Sequence, residues 1–130
     1  MKISVLLPFK ENFSPSYAGA VSLFVNDTTK ISMYKNNTYI YGNTNYKETF
    51  NLNYINILPK TNFFQSQNKE YVNEFIKKEQ SIQSDLIELH NRPIYLNYLV
   101  NSLSNRTYIL YFHNDPLSMS GSKTISERIF

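Results

Sequence analysis

Residues 85–113 read DLIELHNRPIYLNYLVNSLSNRTYILYFH. Asp85 to His90 reads as a short strand. It is followed by Asn91-Arg92-Pro93, where Asn91 or Arg92 can stand near a helix cap and Pro93 suits the first turn, because its missing N–H has no intrahelical partner to lose. Leu96, Leu99, Val100 and Leu103 then fall at i, i+3, i+4 and i+7, the cleanest helical stripe in the chain. Arg106 to His113, dense in Tyr, Ile, Leu and Phe, reads as the next strand. Strand, helix and strand in this order form a crossover unit, which pairs its two strands in parallel and winds right-handed.

The same alternation runs through the rest of the chain. Ile3 to Leu7 is an apolar run stopped by Pro8, as expected of a buried strand. Ala20 to Met33 carries Val21, Phe24, Val25, Thr28 and Ser32 at helical spacing. Thr38 to Tyr41, bounded by Asn36-Asn37 and Gly42-Asn43, and Tyr54 to Leu58, stopped by Pro59, read as further strands. Asn68 can cap a helix whose apolar face is Tyr71, Val72, Phe75 and Ile76. Thr124 and Glu127 have the spacing of a capping box, so another helix starts there. The expected fold is α/β: a Rossmann-like, mainly parallel sheet with helices on both faces and strand order 3-2-1-4-5.

Bulk properties narrow the functional classes. The chain has 130 residues, 42% hydrophobic and 18% charged, which suits one packed domain rather than a disordered segment. Net charge is +3, with 13 basic and 10 acidic residues spread along the chain, so no clustered basic face marks a nucleic-acid partner. With no cysteine, disulfide scaffolds, thiolate zinc sites and cysteine nucleophiles are excluded, and the composition suits a reducing compartment. The N-terminal apolar run lacks the length of a signal peptide, and no stretch approaches the ~20 apolar residues of a membrane span. The expectation is a cytoplasmic protein, with peripheral contact at a membrane surface left open. Asn36-Asn37-Thr38 and Asn105-Arg106-Thr107 match the glycan-acceptor triplet, but without a secretion signal they read as products of an Asn-rich composition.

In a doubly wound sheet, ligands bind beyond the carboxyl ends of the strands. Pro8 to Gly19, His90 to Pro93 and His113 to Lys123 lie at that edge, and they hold most of the polar and Gly residues with chemical potential. Both histidines of the chain, His90 and His113, end strands there. Gly19, before the first helix, would let a phosphate approach the positive helix end, or would simply serve turn geometry. His113 is placed to hydrogen-bond a sugar hydroxyl or a carbonyl, or only to end its strand. His90, Asn91 and Arg92 make either a polar wall for a ligand or a helix start. Asp115-Pro116 reads equally as a turn, and Ser118 to Ser122 as a loop or an anion cradle. Two separated histidines with Asp115 are too few for a metal, and no G-x-S-x-G elbow supports a serine triad. No cofactor is expected.

Leu7 to Pro15 with Gly19-Ala20-Val21-Ser22, then Glu88-Leu89-His90-Asn91-Arg92-Pro93, then Tyr111-Phe112-His113-Asn114-Asp115-Pro116 resemble, in that order, the N-terminal half of family 4 glycosyltransferases. The likeness is nearest to bacterial enzymes of lipopolysaccharide and surface-polysaccharide assembly. It implies a two-domain (GT-B) retaining enzyme of hexosyltransferase type, with a nucleotide-sugar donor and a glycan or lipid-linked acceptor. Residues 1–130 would be an incomplete N-terminal, acceptor-side domain, the C-terminal donor-binding domain being absent and the isolated chain inactive. By the same likeness His113 is the catalytic histidine that contacts the transferred sugar. Gly19 lies beside the donor diphosphate, Asn114 and Asp115 shape the pocket, and His90, Asn91 and Arg92 line the acceptor side. The family's donor-binding pair of glutamates eight positions apart has no counterpart in the chain, and its paired Gly of the first loop is Ala18-Gly19. Two other readings remain: a free-standing flavodoxin- or receiver-like binding module, for which the acidic residues of a receiver are missing, and a non-catalytic fragment that pairs with another chain.

Overall fold

The computed structural model describes residues 1–60, 64 and 66–128. Strands β1 (Ile3–Leu6), β2 (Thr38–Gly42), β3 (Tyr54–Asn56), β4 (Leu86–His90) and β5 (Thr107–Tyr111) alternate with helices α1 (Ala20–Lys30), α2 (Gln67–Ile82), α3 (Ile94–Leu99) and α4 (Ile125–Arg128), except that β2 leads to β3 with no helix between them. The strands form one parallel sheet in the order β3-β2-β1-β4-β5, as the alternation predicts. The fold is α/β and Rossmann-like. No helix among the described residues is long and apolar enough to cross a membrane.

The pleat of β1 divides the core in two, because successive side chains point to opposite faces. Leu6 faces α2 and α3, packing with Tyr41, Tyr71, Phe75, Leu89, Tyr95 and Leu99. Val5 and Leu7 face α1, where they meet Phe13, Val21, Val25 and Ile40. Burial of a side chain of this kind contributes about 1.5–3 kcal/mol. The Tyr71 hydroxyl, fully buried, donates to the Leu7 carbonyl at 2.7 Å and so satisfies the end of the central strand. Burial holds that phenol well above its ordinary value of 10.0.

Several expected boundaries shift for local reasons. The cap of α2 is Ser66, whose side chain accepts from the Lys69 N–H, and not Asn68. Asn68 instead accepts the Tyr95 hydroxyl, tying α2 to α3. Helix α1 ends at Lys30 rather than Met33, since the Ser32 hydroxyl accepts the Tyr34 N–H and offers the backbone a turn in place of another helical step. The stripe through Leu103 is interrupted: α3 stops at Leu99, and Leu103 reaches the core through a turn in which its N–H donates to the Leu99 carbonyl. Strand β5 is shorter than Arg106 to His113 because β4 ends at His90, the partner of Tyr111. The capping box forms reciprocally, with the Glu127 N–H donating to Thr124 Oγ1 and the Thr124 N–H to Glu127 Oε2.

At the amino edge of the sheet one buried carboxylate joins three segments. Glu79 of α2 is fully buried and accepts from Ser4 Oγ at 2.6 Å, from the Ser84 N–H at 2.8 Å and from Arg106 Nε at 3.2 Å. It therefore ties β1, the lead into β4 and the lead into β5 to one helix. Removing it leaves the Arg106 guanidinium, itself mostly buried, without a counter-charge. Glu79→Ala should lower the unfolding free energy by about 3 kcal/mol or more, read from the shift of the urea midpoint.

Candidate functional site

The site is assembled by register. Parallel pairing sets Glu88 beside Ile109 and His90 beside Tyr111, and the two-residue period of β4 puts Glu88 and His90 on the α1 face. His90 is fully buried. Its Nε2 lies 2.7 Å from Glu88 Oε1, and its Nδ1 lies 2.8 Å from Nε2 of His113, just past the end of β5. The Tyr111 ring stacks on His90 at 5.1 Å, and Phe24 of α1 packs edge-on against His113 at 5.0 Å. A carboxylate and two imidazoles thus run in line from the sheet face to its carboxyl edge, walled by aromatic rings.

Asn91 builds the corner that brings the second histidine in. Its φ of 54° lies in the left-handed region, which asparagine tolerates better than most residues. The turn aims its side chain across to the loop after β5, where Oδ1 accepts the His113 N–H at 2.7 Å and the Asn114 N–H at 3.3 Å. The Asn91 N–H donates back to the Tyr111 carbonyl. Asn91 is nearly buried, so its observed work is to hold His113 and Asn114.

The remaining expected residues fall around this core. Arg92 is exposed, and with Asn91, Ile94, Asn114, Ser118, Met119 and Ser120 it lines a hollow of about 350 Å³. One Arg92 nitrogen donates to the Asn91 carbonyl. Asp115 takes the turn role: it is exposed, and Oδ1 accepts the Leu117 N–H at 2.9 Å to cap the short 3-10 turn at Pro116–Ser118. Within the loop after β5, Ser118 and Ser122 donate their hydroxyls to loop carbonyls. Gly121, at φ +93°, presses its Cα onto the backbone of Pro93 and Ile94, where a Cβ would collide, so this loop is folded onto the start of α3.

Gly19 stands at the start of α1, and the space a side chain would need there is filled by the Glu11 carboxylate. Glu11 Oε1 accepts the Ser22 N–H at 3.0 Å, placing the chain's own negative charge at the positive helix end. Its charge also reaches His113. Gly19 therefore serves close approach of Glu11, and Glu11 joins the two parts of the edge.

His113 is held below its ordinary value of 6.5, chiefly by burial and then by His90, against the opposing pull of Glu11 and Glu88. Its neutral form is thereby favoured. Among the described residues no group of three or more His, Asp or Glu side chains could hold a metal ion.

Glu88, Phe24 and Tyr111 are the contributors that loop composition left out. The signal for Glu88 was present, since alternation in Glu88-Leu89-His90 sets acid and imidazole on one face. The signals for the others lie in pairing register and helix packing. No protein-family model matches the chain, and neither does any curated protein or solved structure.

Two outcomes follow from this geometry. Asn91→Ala leaves the His113 and Asn114 N–H groups without their acceptor, a loss of about 1–3 kcal/mol, so hydrogen exchange at those two amides should quicken while exchange in β1 stays slow. The second concerns pH. Because the folded-state value of His113 lies below the unfolded value of 6.5, the unfolded chain binds more protons in the window between them. The stability of neutral His113 is present above that window and is lost as pH falls through it. His113→Asn should therefore flatten the acid-side fall of melting temperature relative to the parent protein.

Proposed function

We propose that this chain is the acceptor-side domain of a retaining glycosyltransferase, one that transfers a sugar from a nucleotide-sugar to a glycan or lipid-linked acceptor. The reading rests on the resemblance of the three edge loops and on one structural observation. The loops after β4 and β5 bring His113, Asn114 and Arg92 to one polar corner at the carboxyl end of the sheet. Ligands of open parallel sheets bind at that edge.

In this proposal His113 contacts the transferred sugar, while Arg92 and Asn114 present donors to the acceptor. The leaving diphosphate is held by a second, donor-binding domain, so transfer requires that domain. No carboxylate of this chain is required as a base if the departing phosphate takes the acceptor's proton. Glu11, already hydrogen-bonded to the start of α1, has a positioning role. Contact with a membrane surface would come through a lipid-linked acceptor.

Protein-observed NMR on the isotope-labelled full chain with a panel of neutral methyl glycosides and short oligosaccharides, and with uridine and guanosine diphosphates as competitors, tests this. Weak glycoside binding that shifts the His113, Asn114 and Arg92 resonances and is untouched by the nucleotides is the expected result. Nucleotide binding at this edge would instead make the chain a free-standing nucleotide-binding module. Silence of the whole sugar panel would also overturn the assignment.

A further inference from the structure

The line Glu88–His90–His113 does more than pack. A carboxylate accepts hydrogen bonds and donates none, so the 2.7 Å contact to Glu88 requires the proton of His90 to sit on Nε2. Neutral His90 then has a bare Nδ1, an acceptor. The 2.8 Å contact from that atom to His113 must accordingly carry the proton of His113 Nε2. That leaves the second ring nitrogen of His113, Nδ1, with its lone pair free. It has no partner among the described residues and is open to solvent.

We propose that Glu88 and His90 are positioning residues that fix the tautomer of His113, so that its Nδ1 faces the edge of the sheet as a neutral hydrogen-bond acceptor for the hydroxyl of an uncharged, sugar-like ligand. This rests on the glycosyltransferase reading for the ligand, and on the two contacts alone for the tautomer. The chemistry favours a hydroxyl over an anion at this atom. A cationic imidazole would hold phosphate, whereas a bare nitrogen repels it and welcomes an O–H. The neighbouring Glu11 carboxylate, from the loop after β1, adds negative charge on the same side.

One proton reverses this preference. If the histidine pair takes up a proton, the contact between the rings persists with either ring charged, and in both cases Nδ1 of His113 carries hydrogen. The outward atom then donates. The groups that set the transition are Glu88 and His90 on β4, Tyr111 on β5 and Glu11 before α1, while α1 contributes the uncharged Phe24. Burial of His113 keeps the accepting state in force at neutral pH.

The test is nitrogen NMR on histidine-labelled, ligand-free protein. At neutral pH, His113 should show the Nε2–H tautomer, with nitrogen–nitrogen scalar coupling across the bond from His113 Nε2 to His90 Nδ1. Glu88→Leu, which removes the acceptor, should abolish the coupling and release a tautomer mixture. Glu88→Gln, whose amide oxygen still accepts, should restore both. A parent spectrum with Nδ1–H on His113, or without the coupling, overturns the proposal before any variant is made; so does a Glu88→Leu spectrum identical to the parent's. Methyl glycoside affinity, measured separately, should fall about tenfold as pH drops from about 8 to about 5. A relay seen without glycoside binding sinks the sugar assignment and leaves the tautomer assignment standing. Glycoside binding without the relay does the reverse.

Discussion

The arrangement depends on one constraint, the right-handed crossover between parallel strands. Chain leaving β1 returns as β2 on one side, and chain leaving β3 through α2 returns as β4 on the other. The loops after β1 and β4 therefore part company at the carboxyl edge, where a crevice opens. Everything chemically notable sits there: Glu11 and Gly19 on one side, His90 and Asn91 on the other, His113 and Asn114 beside them. The opposite edge is closed by Glu79, which draws β1 and the leads into β4 and β5 onto α2. One end of the sheet is locked and the other is left open.

At the open end, polar groups are spent mostly on one another. Asn91 holds the backbone of His113, Asp115 caps its own turn, and Glu11 caps α1. Such internal satisfaction is what preorganises a site, since a side chain fixed by its neighbours loses little freedom when a ligand arrives. It also separates the residues by role. His113, Asn114 and Arg92 retain groups to offer outward, while Glu88, His90 and Asn91 set where those groups stand.

The relay illustrates how far a local signal reaches. Alternation along Glu88-Leu89-His90 places the acid and imidazole on one face, a consequence of the pleat. That His113 should complete the line depends on β5 pairing with β4 in the register His90 to Tyr111, and on the left-handed turn at Asn91. Neither is written in any short window. The loop residues were readable as a set because polar side chains gather at the carboxyl edge; their partners were not, because partners are chosen across strands. Asn68 and Ser66 show the same divide at a helix start, both being able caps, with Tyr95 of a distant helix taking the asparagine.

By itself the sequence determined the kinds of element and their order: apolar runs of strand length, stripes at helical spacing, and turn residues between them, which together demand parallel crossovers. Those are properties of neighbours along the chain, governed by backbone geometry and side-chain period. Only the tertiary structure decided that Glu11 takes the helix end beside Gly19, that Asp115 serves its turn, and that two histidines 23 residues apart fall in line with Glu88. The physical reason is that hydrogen bonds and burial act over a few ångströms of space, and sequence separation carries no record of that distance until the sheet has set its register.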